Sequence, residues 1–284
     1  MIKILISGIS GLVGSHVASR AKEKGWKVGG ISRSGNQNPE WYSATDEKGY
    51  LAAINDFQPE IFLDCSAWAN VDACETNPEA CIQDNSLRPG RCSFLANTNG
   101  IQYVFLSSSY IFPGNKRTYC EADNPRPLNW YGESKLLAER LVRFHTNERA
   151  VIIRTMGVYG LIPDGKDFLS QVIRCCSRGN KIQVPNDQFG NFTYAGDLAD
   201  SILKILEKGW HGIWHVAGPE PELCRSDIAK TICKLGGWDE GCIDPVPTAK
   251  LKQKAVRPQF AGLNIQKVIS HGIQMRSLEQ VWPS

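Results

Sequence analysis

Tyr131 and Lys135 stand four residues apart in the string Trp130-Tyr131-Gly132-Glu133-Ser134-Lys135. Residues 130–144 carry an apolar stripe of Leu136, Leu137, Ala138, Leu141 and Val142 that predicts a helix, and on a helix positions i and i+4 share one face. A free tyrosine titrates at about 10, too high for acid–base work at neutral pH. A neighbouring ammonium favours the phenolate and lowers that value. The pair can then give a proton to a carbonyl oxygen as hydride reaches its carbon, or take one in reverse. The lysine can also hydrogen-bond a nicotinamide ribose. Alone, the Y-x-x-x-K spacing is common. Here Ser107-Ser108-Ser109 precedes it, closing the β-prone run 101–107 (IQYVFLS). A hydroxyl at the C-terminal end of a strand lies where open α/β sheets bind ligands, and it can polarise the same carbonyl. Ser108, Tyr131 and Lys135 are therefore the candidate catalytic set, with Ser107 beside the cofactor.

Such a set needs a hydride carrier, and the start of the chain is suited to one. Gly8-Ile9-Ser10-Gly11-Leu12-Val13-Gly14 follows a short apolar run, 2–7, and opens the helical pattern 12–24. The glycines allow a tight turn and a close backbone approach to a pyrophosphate. The helix N-terminus offers it unpaired N–H groups and a positive dipole end. Gly8, Ser10, Gly11, Leu12, Val13 and Gly14 are the expected cofactor turn. An acid after the second strand would bind a ribose 2′-hydroxyl and favour NAD. After 26–31 (WKVGGI) this chain has Ser32-Arg33-Ser34 instead. The planar fork of Arg33 suits a 2′-phosphate, and Ser32 or Ser34 can add a hydroxyl. NADP(H) is favoured over NAD(H).

The elements that must position these groups alternate. Strand-like runs at 2–7, 26–31, 60–65, 101–107 and 150–154 are separated by helical patterns at 12–24, 79–98 and 130–144. This predicts an α/β fold with a doubly wound parallel sheet of Rossmann type. Beyond residue 160 glycine and proline break the rhythm, with helices expected near 167–178, 197–208 and 226–235. Residues 1–160 read as the NAD(P)-binding domain carrying Ser, Tyr and Lys. Residues 161–284 read as completing the sheet and forming a small C-terminal substrate lobe.

Composition excludes much else. The chain is 42% hydrophobic and 21% charged, with a net charge of +3. That is globular usage, and no basic block points to nucleic acid or a membrane surface as partner. The first residues meet glycine too early for a secretory leader, and no run approaches the ~20 apolar residues of a membrane span. None of the ten cysteines forms C-x-x-C. A cytoplasmic protein with reduced, mostly packing thiols is expected. The five histidines lack metal spacing, so no metal site is predicted. Trp68 and Trp130, flanking the cofactor loop and Tyr131, are candidate pocket walls.

Together these residues resemble the extended short-chain dehydrogenase/reductase superfamily, and more narrowly its dTDP-4-dehydrorhamnose reductase family. The resemblance rests on Ser107-Ser108-Ser109-Tyr110-Ile111-Phe112, Glu121, Asp123 and Pro127-Leu128-Asn129-Trp130-Tyr131-Gly132-Glu133-Ser134-Lys135. It continues through Arg154-Thr155, Val158-Tyr159 and Arg257-Pro258 to Leu263. It implies an NADPH-dependent reduction of a 4-keto group on a nucleotide-linked deoxysugar. Tyr131 would be the acid, Lys135 its activator, and Ser108 would take the place of the family's threonine. It adds Asn85, on a helix near the cofactor, and Cys65-Ser66-Ala67, in the fourth-strand cofactor loop. Three positions depart from the pattern. Ser109 replaces an acid, Gly157 replaces a tryptophan that lies against the sugar, and Asn264 replaces an aspartate. Trp68, Ser109 and Gly157 are therefore the positions expected to bear on the substrate. Members of the family often form homodimers. Two other functions share the scaffold: a nucleotide-sugar 4-epimerase, and a non-catalytic NADP-binding regulatory subunit. A dehydratase would need an Asp-Glu pair where Ser109 and Tyr110 stand.

Overall fold

The computed structural model describes residues 1–33, 41–162 and 165–283. Ser34, expected beside the cofactor phosphate, lies outside them. The first half runs β1 (Lys3–Ser7), α1 (Leu12–Glu23), β2 (Lys27–Ser32), β3 (Trp41–Ser43), α2 (Glu47–Phe57) and β4 (Ile61–Asp64). It continues with α3 (Val71–Thr76), α4 (Pro78–Ile82), α5 (Arg88–Thr98), β5 (Gln102–Ser108), α6 (Trp130–His145) and β6 (Val151–Thr155). The second half adds α7 (Phe168–Cys176), α8 (Ala195–Glu207), β7 (Gly212–His215) and α9 (Arg225–Gly236).

The seven strands form one sheet in the order β7-β6-β5-β4-β1-β2-β3, every pair parallel. β4 and β6 are buried at every position. Helices cover both faces, which is why these strands read as unbroken apolar runs rather than alternating ones. Along β1, Ile4 and Ile6 pack in the layer of Val17, Leu198 and Ile202, while Leu5 packs in the opposite layer with Ile54, Phe57 and Val142. The chain steps outward from β1 to β3, then crosses back to β4 on the other side of β1. That reversal opens a crevice at the C-terminal ends of β1 and β4, the place where such sheets bind ligands.

Three local differences from the sequence expectation have physical causes. Helix α2 was not anticipated, although Tyr50, Ala53, Ile54 and Phe57 are its buried face and Asp46 caps it by accepting from Gly49 N. The run expected as one helix over 79–98 is α4, a π-helical turn at Gln83–Leu87, then α5. The wide turn places Asn85 and Ser86 inside, both fully buried. Strand β3 spans three residues and exists through its pairing with β2.

The second half both closes the sheet and builds a lobe. α8 packs on α1 and β7 adds the edge strand beside β6. The lobe contains α7, α9 and a parallel pair of 182–185 with 243–246. A strap at 254–257 then crosses back to the nucleotide-binding half. Asp72 Oδ1 accepts from Lys254 N and Ala255 N, each at 3.0 Å, and pairs with Arg257 at 3.1 Å. Asn129 caps α6 by accepting from Gly132 N at 2.9 Å and donates to Val256 O at 2.7 Å.

Candidate active site

The glycine turn is built as its spacing requires. Gly8 has φ +75° and donates to Ile31 O of the neighbouring strand, while Gly11 donates back to Gly8 O. At Gly14 a Cβ would lie 2.3 Å from Gly8 O, so only glycine lets α1 start this close to β1. Leu12 and Val13 are half-buried in the helix's first turn, and Ser10 is exposed on the loop. No side chain caps α1 and its first turn holds no acid. Its N–H groups and positive end therefore face the crevice unshielded, which suits a phosphate. Gly14→Ala is expected to destabilise the fold by about 1–3 kcal/mol through overpacking. It should also weaken NADPH binding about tenfold or more, the equivalent of about 1.4 kcal/mol. Thermal unfolding and NADPH fluorescence titration read the two effects.

A cavity of about 340 Å³ opens above this turn, lined by Gly8, Ser10, Gly11, Ser32, Arg33, Cys65, Ser66 and Ala67 among others. Eight of the residues expected at the cofactor thus line one crevice, whereas Ser108, Tyr131 and Lys135 are not among its lining residues. Arg33 stands at its rim, 75% exposed, with Nη1 3.6 Å from Asp84 Oδ2. The floor carries a group not anticipated from sequence. Asp64 is fully buried at the end of β4 and binds Arg88 Nη1 through both oxygens, at 3.1 and 2.9 Å. It also accepts from Tyr103 Oη at 2.9 Å and Ser66 N at 3.1 Å. Arg88 Nη2 donates to Ser66 O at 2.8 Å. The ion pair therefore shapes the 64–67 loop from both sides. The pairing of an acid at a strand end with an arginine beyond a π turn had no short-range signature.

Tyr131 and Lys135 occupy successive turns of α6, facing the end of β5. The Ser108 side chain neighbours the Tyr131 phenol and favours its ionised form. Lys135, 2% exposed, donates from Nζ to Leu106 O at 2.6 Å and lies 4.1 Å from the Phe105 ring centre. The expected electrostatics needs correction. Burial pushes the Tyr131 phenol up to about 12, although the neighbouring Ser108 hydroxyl pulls the other way. Burial also pushes Lys135 down to about 8, with Asp64 opposing that fall. Desolvation outweighs the ammonium's attraction for the phenolate. At neutral pH Tyr131 is a protonated phenol, the form that can donate.

The remaining site positions divide. Asn85 is fully buried and grips the Trp68 backbone, accepting from its N at 2.7 Å and donating to its O at 3.1 Å. It also donates to Ser134 Oγ at 3.2 Å, which ties the 64–68 loop to α6. Ser107 points to α6 rather than the crevice and donates to Glu139. Ser109 Oγ is buried without a hydrogen-bond partner. Trp68 lines a second hollow that shares Arg33 and Asp84 with the first. Trp130 does not wall the crevice: it is exposed in an outer groove of α6 with Leu128 and Leu137. Gly157 has φ +52°, and a Cβ there would lie 2.6 Å from the Phe192 ring. The aromatic surface at this point thus comes from residue 192 rather than 157. All ten cysteines are free and seven are buried. Burial raises the Cys65 thiol, so its reactive thiolate is scarce. Cys120 is exposed.

The fold and this site define an NAD(P)-dependent oxidoreductase of the short-chain dehydrogenase/reductase type. The chain belongs to the family described as the RmlD substrate binding domain, whose model matches residues 2–281. Among its relatives is the "Probable low-salt glycan biosynthesis reductase Agl14" of Haloferax volcanii, 30% identical over 273 residues that cover 93% of this chain and 90% of that protein. The dTDP-4-dehydrorhamnose reductase of Mycolicibacterium smegmatis is 28% identical, over 95% of this chain and 80% of its own. In structure, the Bacillus anthracis dTDP-4-dehydrorhamnose reductase in complex with NADP superposes with a TM-score of 0.90. It is 25% identical, with 99% of this chain and 97% of that one covered. Among the described residues no group of three or more His, Cys, Asp or Glu could hold a metal ion, and no helix is long and apolar enough to cross a membrane.

Proposed function

We propose that the protein reduces the 4-keto group of a nucleotide-linked deoxysugar with NADPH, with Tyr131 as the acid. The observation that carries this reading is the meeting of Tyr131, Ser108 and Lys135 at one end of β5, with Lys135 facing Cys65, which lines the crevice above the glycine turn. The relatives named as dTDP-4-dehydrorhamnose reductases support the substrate class.

When bound, NADPH would supply the hydride. Gly8, Ser10, Gly11, Leu12, Val13 and Gly14 hold its pyrophosphate against the N-terminus of α1. Ser32 and Arg33 take the 2′-phosphate, Cys65, Ser66 and Ala67 flank the chain of the cofactor, and Asn85 and Ser107 fix the loop and helix around it. Ser108 and Tyr131 converge on the substrate carbonyl oxygen, polarise it and deliver the proton. Lys135, at about 8, holds the ribose and returns a proton to the phenol. Trp68 and the unpartnered hydroxyl of Ser109 face the sugar, with Phe192 beside Gly157. In this reading residues 1–160 bind the cofactor and perform the chemistry, and the lobe within 161–284 selects the sugar.

Turnover of dTDP- and UDP-linked 4-keto-6-deoxysugars tests it, with the product stereochemistry and NADPH oxidation followed together. Stoichiometric NADPH oxidation with formation of the 4-hydroxy sugar is expected. Inversion at C4 without net oxidation would make the protein an epimerase, and NADPH binding without turnover of any sugar would leave a binding subunit. Arg33→Ala is expected to raise the KM for NADPH about tenfold, the equivalent of about 1.4 kcal/mol. The KM for NADH should stay unchanged. Loss of both equally would count against a 2′-phosphate contact.

A further inference from the structure

Helix α6 carries a third polar side chain on the face of Tyr131 and Lys135. Glu139 follows Lys135 by one more turn and its side chain is 3% exposed. The three residues address three consecutive positions of β5. Tyr131 meets Ser108, Lys135 meets Leu106 O, and Ser107 Oγ donates to Glu139 Oε1 at 2.5 Å. Ser107 is in register with Arg154 on β6. Arg154 closes the arrangement with a planar fork, Nε to Oε1 at 3.0 Å and Nη2 to Oε2 at 2.7 Å. Its remaining nitrogen donates to Glu121 O at 3.3 Å and approaches His215 Nε2 at 3.4 Å. Burial pushes His215 down to about 3, and Arg154 beside it acts in the same direction. The ring is therefore neutral, with Nδ1 bonded to Tyr119 O at 3.0 Å and Nε2 left to accept from Arg154.

A buried ion pair is a weak way to stabilise a fold, since apolar residues of the same volume do as well or better. What a bidentate fork adds is direction. Apolar packing of a helix on a sheet tolerates small slides, whereas proton transfer does not. We propose that Glu139 is a positioning residue for the acid: by holding Ser107 and Arg154 together it fixes α6 on β5 and β6, so that the Tyr131 and Ser108 hydroxyls stay aimed at one point. Its charge has a second effect on the same ladder. Lys135 is faced by Asp64 from β4, Arg88 from α5, Cys65 from the crevice loop and Glu139 from its own helix. Glu139 is one of the two carboxylates that favour its ammonium form.

The inference rests on the ketoreductase reading, and its test separates the two. Glu139→Gln, Glu139→Asp and Ser107→Ala are assayed for NADPH-dependent turnover of dTDP-linked 4-keto-6-deoxysugars across pH. Glu139→Gln is expected to lower kcat by about 10–100-fold, the scale of a misplacement near 1 Å, with the KM for NADPH within about threefold. The alkaline limb of kcat should move to lower pH, because Lys135 loses a carboxylate that favours its charge. Glu139→Asp keeps the charge but not the reach, so it should restore the limb while kcat stays low. Ser107→Ala should lower kcat a few-fold with the limb unmoved. Wild-type kcat in Glu139→Asp and Ser107→Ala overturns the proposal, also where Glu139→Gln fails to fold. If the wild-type protein turns over no keto-sugar, hydrogen exchange of the NADPH complex decides independently. Faster exchange confined to 102–108 and 130–139 in Glu139→Asp and Ser107→Ala upholds the positioning role, and unchanged exchange there overturns it.

Discussion

Tyr131→Phe is expected to lower kcat by about 10²–10⁴-fold, the usual contribution of a positioned acid. Affinity for NADPH should stay within about twofold, since in the proposed mechanism the phenol oxygen serves the substrate carbonyl, and twofold is well under 1.4 kcal/mol. The variant is suited to the question because it leaves the packing intact. The ring meets Tyr110 edge-on at 6.0 Å between centroids, a contact phenylalanine reproduces. The pH dependence sharpens the expectation. With the phenol pushed up to about 12 and Lys135 pushed down to about 8, the group that changes charge just above neutrality is the lysine. The wild-type rate should therefore fall as pH rises through about 8, long before the tyrosine ionises. A rate that keeps rising beyond pH 9, roughly one unit past that value, would mean that Lys135 charge is not needed. Wild-type kcat in Tyr131→Phe would remove the tyrosine from the mechanism altogether.

The largest expected effect on stability is at Arg88→Met. Removing the guanidinium leaves the Asp64 carboxylate fully buried, with the Tyr103 hydroxyl and Ser66 N as its hydrogen-bond donors among the described residues. Breaking a buried pair from one side costs about 3–5 kcal/mol. At about 2–4 °C per kcal/mol for a chain of this size class, Tm should drop by roughly 6–20 °C. The second change, Asp64→Leu in the Arg88→Met background, removes the stranded charge and should recover part of the loss. Additive losses in the double variant would show that the two residues do not act as a pair. Arg88 also anchors Ser66 O, so NADPH affinity should fall alongside stability in the single variant.

The parts of this molecule that were legible in the sequence are those set by local constraint. β4 and β6 announced themselves because strands covered on both faces must be apolar throughout. The glycine turn did so because Gly14 tolerates no Cβ against Gly8 O. The Tyr131–Lys135 spacing was visible, but the direction of both titrations was not, since desolvation depends on what the tertiary fold lays over them. Asp64 and Arg88 were hidden for a related reason. Their meeting requires the end of β4 to face a helix that begins only after a π turn. Helix α2 was readable in principle from Asp46, Tyr50, Ala53, Ile54 and Phe57, although Lys48, Gly49 and Asn55 dilute the pattern. The pairing of 182–185 with 243–246 depends on a partner far along the chain, which no local propensity announces. Glu139 lay in plain view one turn beyond Lys135, yet its meaning depended on Arg154 becoming the neighbour of Ser107 across the sheet.

The strap at 254–257 has a consequence for the order in which the molecule can be assembled. Its backbone is held by Asp72, 182 residues earlier in the chain, and its Val256 carbonyl is held by the residue that caps the helix of Tyr131. Contacts of such sequence separation form late, because the intervening chain must already be in place before they repay the loop they close. On a ribosome the crevice and α6 are complete in sequence long before the strap has been synthesised. The cap of the helix that bears Tyr131 is therefore fastened by residues that emerge well after it, and the site reaches its final form only once the strap has docked.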